Sequence, residues 1–293
     1  MNKPDFFKDP QLLNCPFYDS PFFNELLENM KLTTDLNNLA RKFNEKGYIV
    51  VDLGLSDDFI DDLNQSIDMM IHNNNYKSNS TFFSYNESPR IVDAGSNCLQ
   101  VAKLATNEMI CKLLKILYGK DPIPFSTINF ISGTEQPLHS DTIHFGSIPK
   151  GFLAASWVAL EDADEENGGL RIVESSHNLK DIDYFDLNIK PAKNMKEVEL
   201  IYRQYEEYVR AVIKSKNLSE KVVPLKKGSA LIWSANLLHG GGRILDKNRT
   251  RRSQVTHYNF ENCDFYFHPF FSIPLHGKYI NRDLQKLDIR KLI

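Results

Sequence analysis

The feature that most constrains the fold of this chain is a series of short β-like runs. They fall in two blocks, about 124–177 and about 221–272, and Gly, Pro, Asn and Asp punctuate them. The runs read FSTINFI, LAASWVAL, LRIVES, SALIWSA and SQVTHYNF. Many short strands bounded by turn residues are typical of β-sandwiches and barrels. The pattern therefore predicts an antiparallel jelly roll.

Helical patterns flank these blocks. Residues 33–46 repeat apolar side chains at helical spacing and are followed by Gly47, a residue that commonly ends helices. Ser56 precedes a second helical pattern, DDFIDDLNQSIDMMI, whose first turn is acidic. A third pattern, NEMICKLLKILYG, ends at Gly119, and an amphipathic segment at about 195–216 separates the two strand blocks. The chain is therefore predicted to be mainly β with flanking helices, an α+β fold.

We expect one domain over residues 1–293. Its helical part covers about 1–120, and its jelly-roll core covers about 121–272 with a helical insertion at about 195–216. The length allows a substantial buried core, and no repeat or linker divides the chain. From its position between the strand blocks, we interpret the insertion as a lid.

The composition excludes several classes of protein. A net charge of −3 and a pI near 6.3 argue against a nucleic-acid surface. The opening MNKPDFFKDP has no apolar signal region, and no apolar run is long enough to cross a bilayer. The four cysteines lack CxxC spacing, which argues for free thiols in a reducing compartment and against cysteine-ligated zinc. We therefore expect a soluble cytoplasmic protein without nucleic-acid or membrane partners; the sequence leaves its oligomeric state undetermined.

The stretch PLHSDTIHF, residues 137–145, contains three metal-capable side chains. If it ends a strand, alternation places His139 and Asp141 on one face and leaves His144 off that face. His239 in SALIWSANLLHGGG is the best candidate for a third ligand, because it ends an apolar run before three glycines. Two histidines and one carboxylate form the facial triad of non-haem Fe(II) oxygenases. Spacing alone leaves a second interpretation open, a structural histidine beside a glycine turn.

The stretch RTRRSQVTHY is a candidate anion site. In a strand, Arg251, Ser253 and His257 would share one face. An inward arginine and serine form a receptor for a carboxylate, because the guanidinium donates two parallel hydrogen bonds and the hydroxyl a third. The sequence does not determine which face lies inside. The alternative is a solvated cluster of all three arginines in the stretch, Arg249, Arg251 and Arg252.

Two further stretches are excluded as binding loops. LEDADEENGGL places Asp162, Asp164 and Glu166 at alternating positions, as in a calcium-binding EF-hand. Asn167, however, stands where that loop needs glycine, and Val173 stands where it needs glutamate. HGGGR is not a phosphate-binding loop, because no Lys-Ser/Thr pair and no clear helix start follow it.

Four segments, taken together and in this order, resemble the phytanoyl-CoA dioxygenase family of Fe(II)/2-oxoglutarate oxygenases. They are PFSTINFISGTEQPLHSD, SWVALEDADEENGGLRIVESSH, KKGSALIWSANLLHGGG and TRRSQVTHY, within roughly residues 90–260. The second segment is the most specific to the family. The resemblance implies a double-stranded β-helix, the cupin-like jelly roll. It also implies an enzyme that uses Fe(II), 2-oxoglutarate and O2 and releases succinate and CO2.

The resemblance assigns roles to single residues. It makes His139, Asp141 and His239 the iron ligands and the catalytic residues. Arg251 corresponds to the arginine that pairs with the distal carboxylate of 2-oxoglutarate. It follows His239 by twelve residues, where the family commonly has eleven, so a one-residue insertion is implied. Ser253 fits the Arg-x-Ser pair of related oxygenases.

Further residues are assigned to the cavity around these groups. Trp157 matches a tryptophan that borders the co-substrate, and Asn129 matches a polar position on the strand before the metal motif. For the substrate pocket, the candidates are His144, Arg90 and the loop at 72–88. Each of these could equally be a packing or surface residue.

The resemblance favours a dioxygenase that hydroxylates a C–H bond of a small molecule. It does not imply that phytanoyl-CoA is the substrate, because one fold serves many substrates. Two other functions stay open. The chain could be a binding or regulatory protein that keeps the jelly roll without turnover, or a cupin-like hydrolase or isomerase that uses another divalent metal.

Overall fold

The structure is a computed structural model that describes residues 13–78, 88–263 and 265–272. The α-helices of the described residues are α1 (Phe23–Met30), α2 (Thr34–Lys46), α3 (Asp57–His72), α4 (Leu99–Ala105), α5 (Glu108–Tyr118) and α6 (Met195–Ser215). The strands are β1 (Tyr48–Asp52), β2 (Lys77–Ser78), β3 (Arg90–Val92), β4 (Pro122–Phe130), β5 (Gly146–Ile148), β6 (Ala154–Ala159), β7 (Leu170–Ile172), β8 (Lys221–Val222), β9 (Ser229–Ser234), β10 (His239–Gly241), β11 (Ser253–Phe260) and β12 (Phe265–Phe267).

Seven strands form a major sheet in the order β1-β9-β6-β11-β4-β3-β2. A minor sheet has the order β10-β7-β8, and β5 pairs with β12. All of these pairs are antiparallel, and many join strands that are distant in the sequence, as β1 and β9 are. The predicted antiparallel jelly roll with flanking helices is confirmed.

The two faces of the major sheet bury different partners, because side chains alternate along each strand. On β6, Ala154 and Val158 pack in one core with apolar residues of α2, α3, α4 and α5. Ala155 and Trp157 belong to a second core, which also contains Leu170 of the minor sheet. The helices therefore cover one face, and the other face looks into the space between the sheets.

Several helices begin and end at the predicted residues. The Ser56 hydroxyl accepts the N–H of Phe59 at 3.2 Å and caps α3. Gly47 ends α2 with a φ of 79°, and Gly119 ends α5 with a φ of 73°. These left-handed conformations are accessible to glycine without a steric penalty, so the helices stop there.

The predicted helical insertion is α6, which Asn194 caps by accepting the N–H groups of Lys196 and Glu197. Its apolar face packs in a third core with residues that flank the minor sheet, such as Leu138 and Leu238. None of the helices in the described ranges is long and apolar enough to cross a membrane. The assignment of the whole chain to one domain stays a prediction.

The acidic stretch rejected as a calcium loop is a turn held by its own contacts. The Asn167 side chain accepts the N–H of Asp164 and donates to the carbonyls of Asp162 and Thr250, each at 2.9 Å. The Asp164 carboxylate pairs with Arg249 at 2.9 Å. These contacts join the turn after β6 to the segment before β11.

Candidate active site

Three potential metal ligands from two segments converge between the sheets. His139 and Asp141 follow β4, and His239 begins β10. The backbone N–H of each histidine donates to the carbonyl of the other at 2.9 Å, which holds the two segments side by side. All three side chains are buried, and their ligand atoms lie within 4.8 Å of one another. Within the described ranges, no other cluster of His, Cys, Asp and Glu meets this geometry.

The glycines after His239 allow the close approach of β10 to the metal-motif segment. A Cβ on Gly240 would lie 2.6 Å from the carbonyl oxygen of Gln136. A Cβ on Gly241 would lie 2.7 Å from the amide nitrogen of Glu135. Both distances are shorter than van der Waals contact, so a larger residue would push β10, and His239 with it, away from this segment.

Both histidines present Nε2 to the centre of the cluster. The Nδ1 atom of His139 lies 2.9 Å from the carbonyl oxygen of Pro137, and that of His239 lies 2.9 Å from the carbonyl oxygen of Leu237. We assign the proton of each ring to Nδ1 from these contacts, because a carbonyl can only accept. Burial, followed by the neighbouring His239, lowers the pKa of His139 to about 3. The Nε2 lone pair of His139 is therefore available at neutral pH.

Asp141 has a different partner for each of its oxygens. Trp233 donates its indole N–H to Oδ2 at 2.9 Å. Oδ1 lies 3.6 Å from Nε2 of His239 and 3.7 Å from Nε2 of His257. Burial opposes ionisation of the carboxyl, but His239, His257 and His139 together hold the pKa of Asp141 well below its usual range. The carboxylate is therefore charged and directs one oxygen at the histidines.

Ser253 begins β11 and Arg251 precedes the strand by two residues, on the same side of the sheet as the metal cluster. The Arg251 side chain is 3% exposed; its Nη1 donates to Ser253 Oγ at 3.2 Å and its Nη2 to the Ser132 carbonyl at 3.3 Å. Among the described residues, its Nε lacks a hydrogen-bond partner, and so does Nε1 of Trp157. Burial lowers the pKa of Arg251 to about 10, so the guanidinium stays charged at neutral pH. Because no carboxylate of the described residues pairs with it, this site suits an anion.

The other arginines of the stretch face outward. Arg249 pairs with Asp164, and Arg252 pairs with Asp68, each at 2.9 Å. Of the three candidates that the sequence left open, only Arg251 has its guanidinium in the cavity.

One cavity of about 440 Å³ joins the metal cluster to Arg251. Arg90 and His144, the two candidates for the substrate pocket, also line it, as do Met195 and Val198 of α6. The helical insertion therefore forms part of the cavity wall. Of the candidate loop at 72–88, residues 79–87 lie outside the described residues.

His144 lines the cavity, although alternation along a strand would point its side chain away from the face of His139 and Asp141. The chain turns at Asp141 into a short 3₁₀ segment, Asp141–Ile143, instead of continuing as a strand. This turn brings the ring of His144 to 5.6 Å from that of His139 and to 5.1 Å from that of Tyr202, measured between ring centres. Burial holds the pKa of His144 well below its usual value.

Asn129 is not brought to the cavity. Its neighbours on β4, Ile128 and Phe130, face the cavity, so alternation turns Asn129 toward the helices. Its amide donates to Oε1 of Gln254 at 3.2 Å, and the Gln254 amide donates to the Val101 carbonyl of α4 at 3.0 Å. We therefore leave Asn129 out of the proposed site.

The sequence did not identify several side chains that contact the metal cluster. For His257 the sequence predicted a strand face shared with Arg251 but left its role open. Nothing in the sequence pointed to Trp233, or to Gln136 and Tyr202. The Gln136 amide nitrogen lies 3.3 Å from His139 Nε2 and donates to the Tyr202 hydroxyl at 3.0 Å, so α6 contacts the site through it.

Comparison with known proteins gives both a family and a fold. The family model for phytanoyl-CoA dioxygenase (PhyH) matches residues 43–253. The peroxisomal phytanoyl-CoA dioxygenase of Rattus norvegicus is 24% identical over 195 residues, 65% of this chain and 49% of that protein. The Mus musculus enzyme of the same name is 26% identical over 135 residues, 44% of this chain and 35% of that protein. The matched part of this chain thus spans about half the length of these relatives or less.

Solved structures with the same fold are more distant in sequence. The non-heme alpha ketoglutarate dependent epimerase SnoN from nogalamycin biosynthesis has a TM-score of 0.59 and 17% identity, covering 87% of this chain and 95% of its own. EctD from S. alaskensis with 2-oxoglutarate and 5-hydroxyectoine has a TM-score of 0.55 and 16% identity, covering 87% of each chain. These structures support the jelly-roll fold. Since the family model matches most of the sequence, the chain belongs to the phytanoyl-CoA dioxygenase (PhyH) family.

Proposed function

We propose that the chain is an Fe(II)- and 2-oxoglutarate-dependent dioxygenase that hydroxylates a C–H bond of a small molecule. One observation carries the proposal. A buried cluster of two histidines and an aspartate shares its cavity with Arg251, a buried arginine without a carboxylate partner among the described residues. The first group matches the donor set of non-haem Fe(II) sites, and the second suits the distal carboxylate of 2-oxoglutarate.

In this proposal, one group of residues binds the metal and another binds 2-oxoglutarate. Nε2 of His139, Nε2 of His239 and an oxygen of Asp141 would hold Fe(II). Arg251 and Ser253 would bind the distal carboxylate, with the indole N–H of Trp157, which has no acceptor among the described residues, close by. Bound iron would supply the activation of O2 that is coupled to oxidative decarboxylation of 2-oxoglutarate to succinate and CO2.

The apolar side chains in the cavity wall suit this role. Phe145, Phe270 and Phe271 line the cavity together with Val198 of α6. Apolar walls shield reactive groups from solvent and position a substrate against them. The α6 wall is consistent with the interpretation of the insertion as a lid, which stays a proposal.

The comparisons leave the substrate open. The similar proteins are named for different reactions, a phytanoyl-CoA dioxygenase and an epimerase among them. One fold thus carries different chemistry, so the substrate depends on the residues of each cavity. We further propose a cytoplasmic location, which the four free cysteines support, although the Rattus norvegicus relative is named as peroxisomal.

Turnover of 2-oxoglutarate tests the proposal directly. The purified protein should release succinate and consume O2 when Fe(II) and 2-oxoglutarate are supplied, slowly even without substrate. H139A should lose both signals, and an anaerobic sample should release no succinate. Binding of Fe(II) and 2-oxoglutarate without turnover under any condition would favour a regulatory protein. Metal-dependent activity that needs no 2-oxoglutarate would favour a hydrolase or isomerase.

A further inference from the structure

Trp233 contacts two of the three proposed metal ligands. Its indole N–H donates to Oδ2 of Asp141 at 2.9 Å, and its ring centre lies 4.7 Å from that of His239. Trp233 stands on β9, between β1 and β6, where its backbone pairs with Tyr48 on one side and Ala155 on the other. Because strands on both sides hold β9, the position of the indole ring is set by the sheet and not by the loop that carries Asp141.

The hydrogen bond from Trp233 distinguishes the two oxygens of the Asp141 carboxylate. Oδ2 accepts the indole N–H, and Oδ1 lies 3.6 Å from His239 Nε2. Both side chains are buried, with Trp233 1% and Asp141 3% exposed, so bulk water does not compete for the bond. An indole N–H can only donate, and its bond to a charged acceptor is stronger than one to a neutral acceptor.

Rotation of the carboxylate would break this bond. It would leave the Trp233 N–H buried without an acceptor, at a cost of about 1–3 kcal/mol. The same cost applies if Asp141 turns both oxygens toward one metal ion and Oδ2 thereby leaves the reach of the indole N–H. The arrangement therefore favours a carboxylate that offers Oδ1 alone.

We propose that Trp233 is a positioning residue that holds Asp141 as a ligand through one oxygen, Oδ1. The inference rests on the proposed function, which makes this cluster a metal centre. A ring at this place that served packing alone would be replaceable by phenylalanine. The indole N–H is needed only if it orients Asp141.

The chain has two tryptophans. The hydrogen bonding of their indole N–H groups differs, and a spectroscopic measurement can detect this difference. Nε1 of Trp233 has the Asp141 carboxylate as its acceptor, whereas Nε1 of Trp157 has no hydrogen-bond partner in the part of the chain that the structure describes. In the metal-free protein labelled with ¹⁵N, W157F and W233F would assign the two indole signals. We expect the Trp233 signal to lie downfield and to shift in D141A, with no comparable shift of the Trp157 signal. A Trp233 signal that D141A leaves in place would overturn the proposal.

Metal binding by W233F tests the consequence for the site. We expect W233F to bind Co(II), used as a probe, about 10- to 100-fold more weakly than the wild type, as is usual when a partner of a ligand is removed. The visible spectrum of bound Co(II) should change as well. The matched control is Y258F, which loses a buried hydroxyl that donates to the Ala105 carbonyl on the helical face of the sheet, and which should bind Co(II) normally.

The outcomes separate this inference from the proposed function. Wild-type affinity and an unchanged Co(II) spectrum in W233F would overturn the positioning role alone. A wild-type protein that binds no Co(II) would overturn the proposed function. If W233F does not fold, the ¹⁵N indole signals of the wild type and D141A still test the proposal, because both of these proteins contain Trp233.

Discussion

The guanidinium carbon of Arg251 lies 5.1 Å from the centre of the Trp157 ring, and both side chains are buried. Each keeps one N–H without a hydrogen-bond partner within the described ranges, Nε on the arginine and Nε1 on the tryptophan. Buried donors that lack acceptors are rare in folded proteins, and they cost free energy unless a ligand satisfies them. The pair therefore indicates where the carboxylate of 2-oxoglutarate would lie.

Replacement of Arg251 by alanine should weaken 2-oxoglutarate binding and leave metal binding intact. Removal of one partner from a buried charge pair costs about 2 kcal/mol or more, which is a loss of roughly 30-fold or more in affinity. Calorimetric titration of 2-oxoglutarate into the metal-loaded protein measures the loss. The control is Arg252→Ala, which breaks an exposed pair with Asp68. Normal binding by R251A together with weak binding by R252A would mean that the wrong arginine was assigned.

Replacement of Asp141 by alanine should abolish metal retention, because the cluster loses its only carboxylate. We expect a loss of affinity of about 100-fold or more, larger than the 10- to 100-fold usual for groups around the ligands. Metal content after dialysis and Co(II) titration measure the change. Asp164→Ala removes an acid on the outer surface that pairs with Arg249, and it should retain metal normally. Metal retention by D141A would contradict the assigned ligand set.

Replacement of Asn129 by alanine should lower stability without changing 2-oxoglutarate affinity. The substitution leaves Oε1 of Gln254, a residue with no exposed surface, without its donor. An unsatisfied buried acceptor costs about 1–3 kcal/mol of the free energy of unfolding. Urea unfolding and calorimetry measure the two quantities. A large loss of 2-oxoglutarate affinity in N129A would show that this residue does act at the co-substrate site.

Replacement of Gly240 by alanine should displace His239 and weaken metal binding. Its Cβ would lie 2.6 Å from the Gln136 carbonyl oxygen, and such overpacking typically costs about 1–3 kcal/mol. Gly54→Ala is the matched control, since a Cβ there meets no atom of the described residues within 4 Å beyond its chain neighbours and adds only the strain of a φ of 61°. Both variants should unfold more easily than the wild type, but only G240A should lose Co(II) affinity. Equal metal affinity in the two variants would show that β10 can move without moving its histidine.

Acidification should weaken the ion pairs that Glu174 forms with Lys46 of α2 and Lys221 of β8. A hydrogen bond from Lys221, followed by one from Lys46 of α2, lowers the pKa of Glu174 to about 2. Since the pKa is lower in the folded state, the stabilisation is present above the unfolded value of about 4.3 and is lost as the pH falls toward 2. The side chain is about one-third exposed, so solvent screening limits the effect to ~1 kcal/mol or less. The urea midpoints of the wild type and Glu174→Gln should therefore differ at pH 7 and converge near pH 2. A difference between the two midpoints that does not change with pH would contradict the ion pairs of Glu174 with Lys221 and Lys46.

Local patterns in the sequence predicted much of the site. Alternation along a strand assumed over residues 251–257 predicted that Arg251 and Ser253 share a face, because side-chain direction in a strand depends only on position. The pair of His139 and Asp141 was recognised for the same reason, with Ser140 turned away toward the hydroxyl of Tyr205 on α6. The series of short strands predicted the jelly roll, and the place of His239 before three glycines made it the candidate third ligand, a role that the four family segments also imply.

Tertiary structure alone decided the rest, because contacts between distant segments leave no periodic trace in the sequence. Trp233 meets Asp141 across 92 positions of the chain, and Gln136 meets Tyr202 across 66. The sequence could not say which face of a strand lies inside, and for Asn129 the sheet placed the side chain against the helices. The residue types and their spacing determined what chemistry the chain can hold. The packing of β9, β10 and α6 around the metal motif decided which atoms face one another.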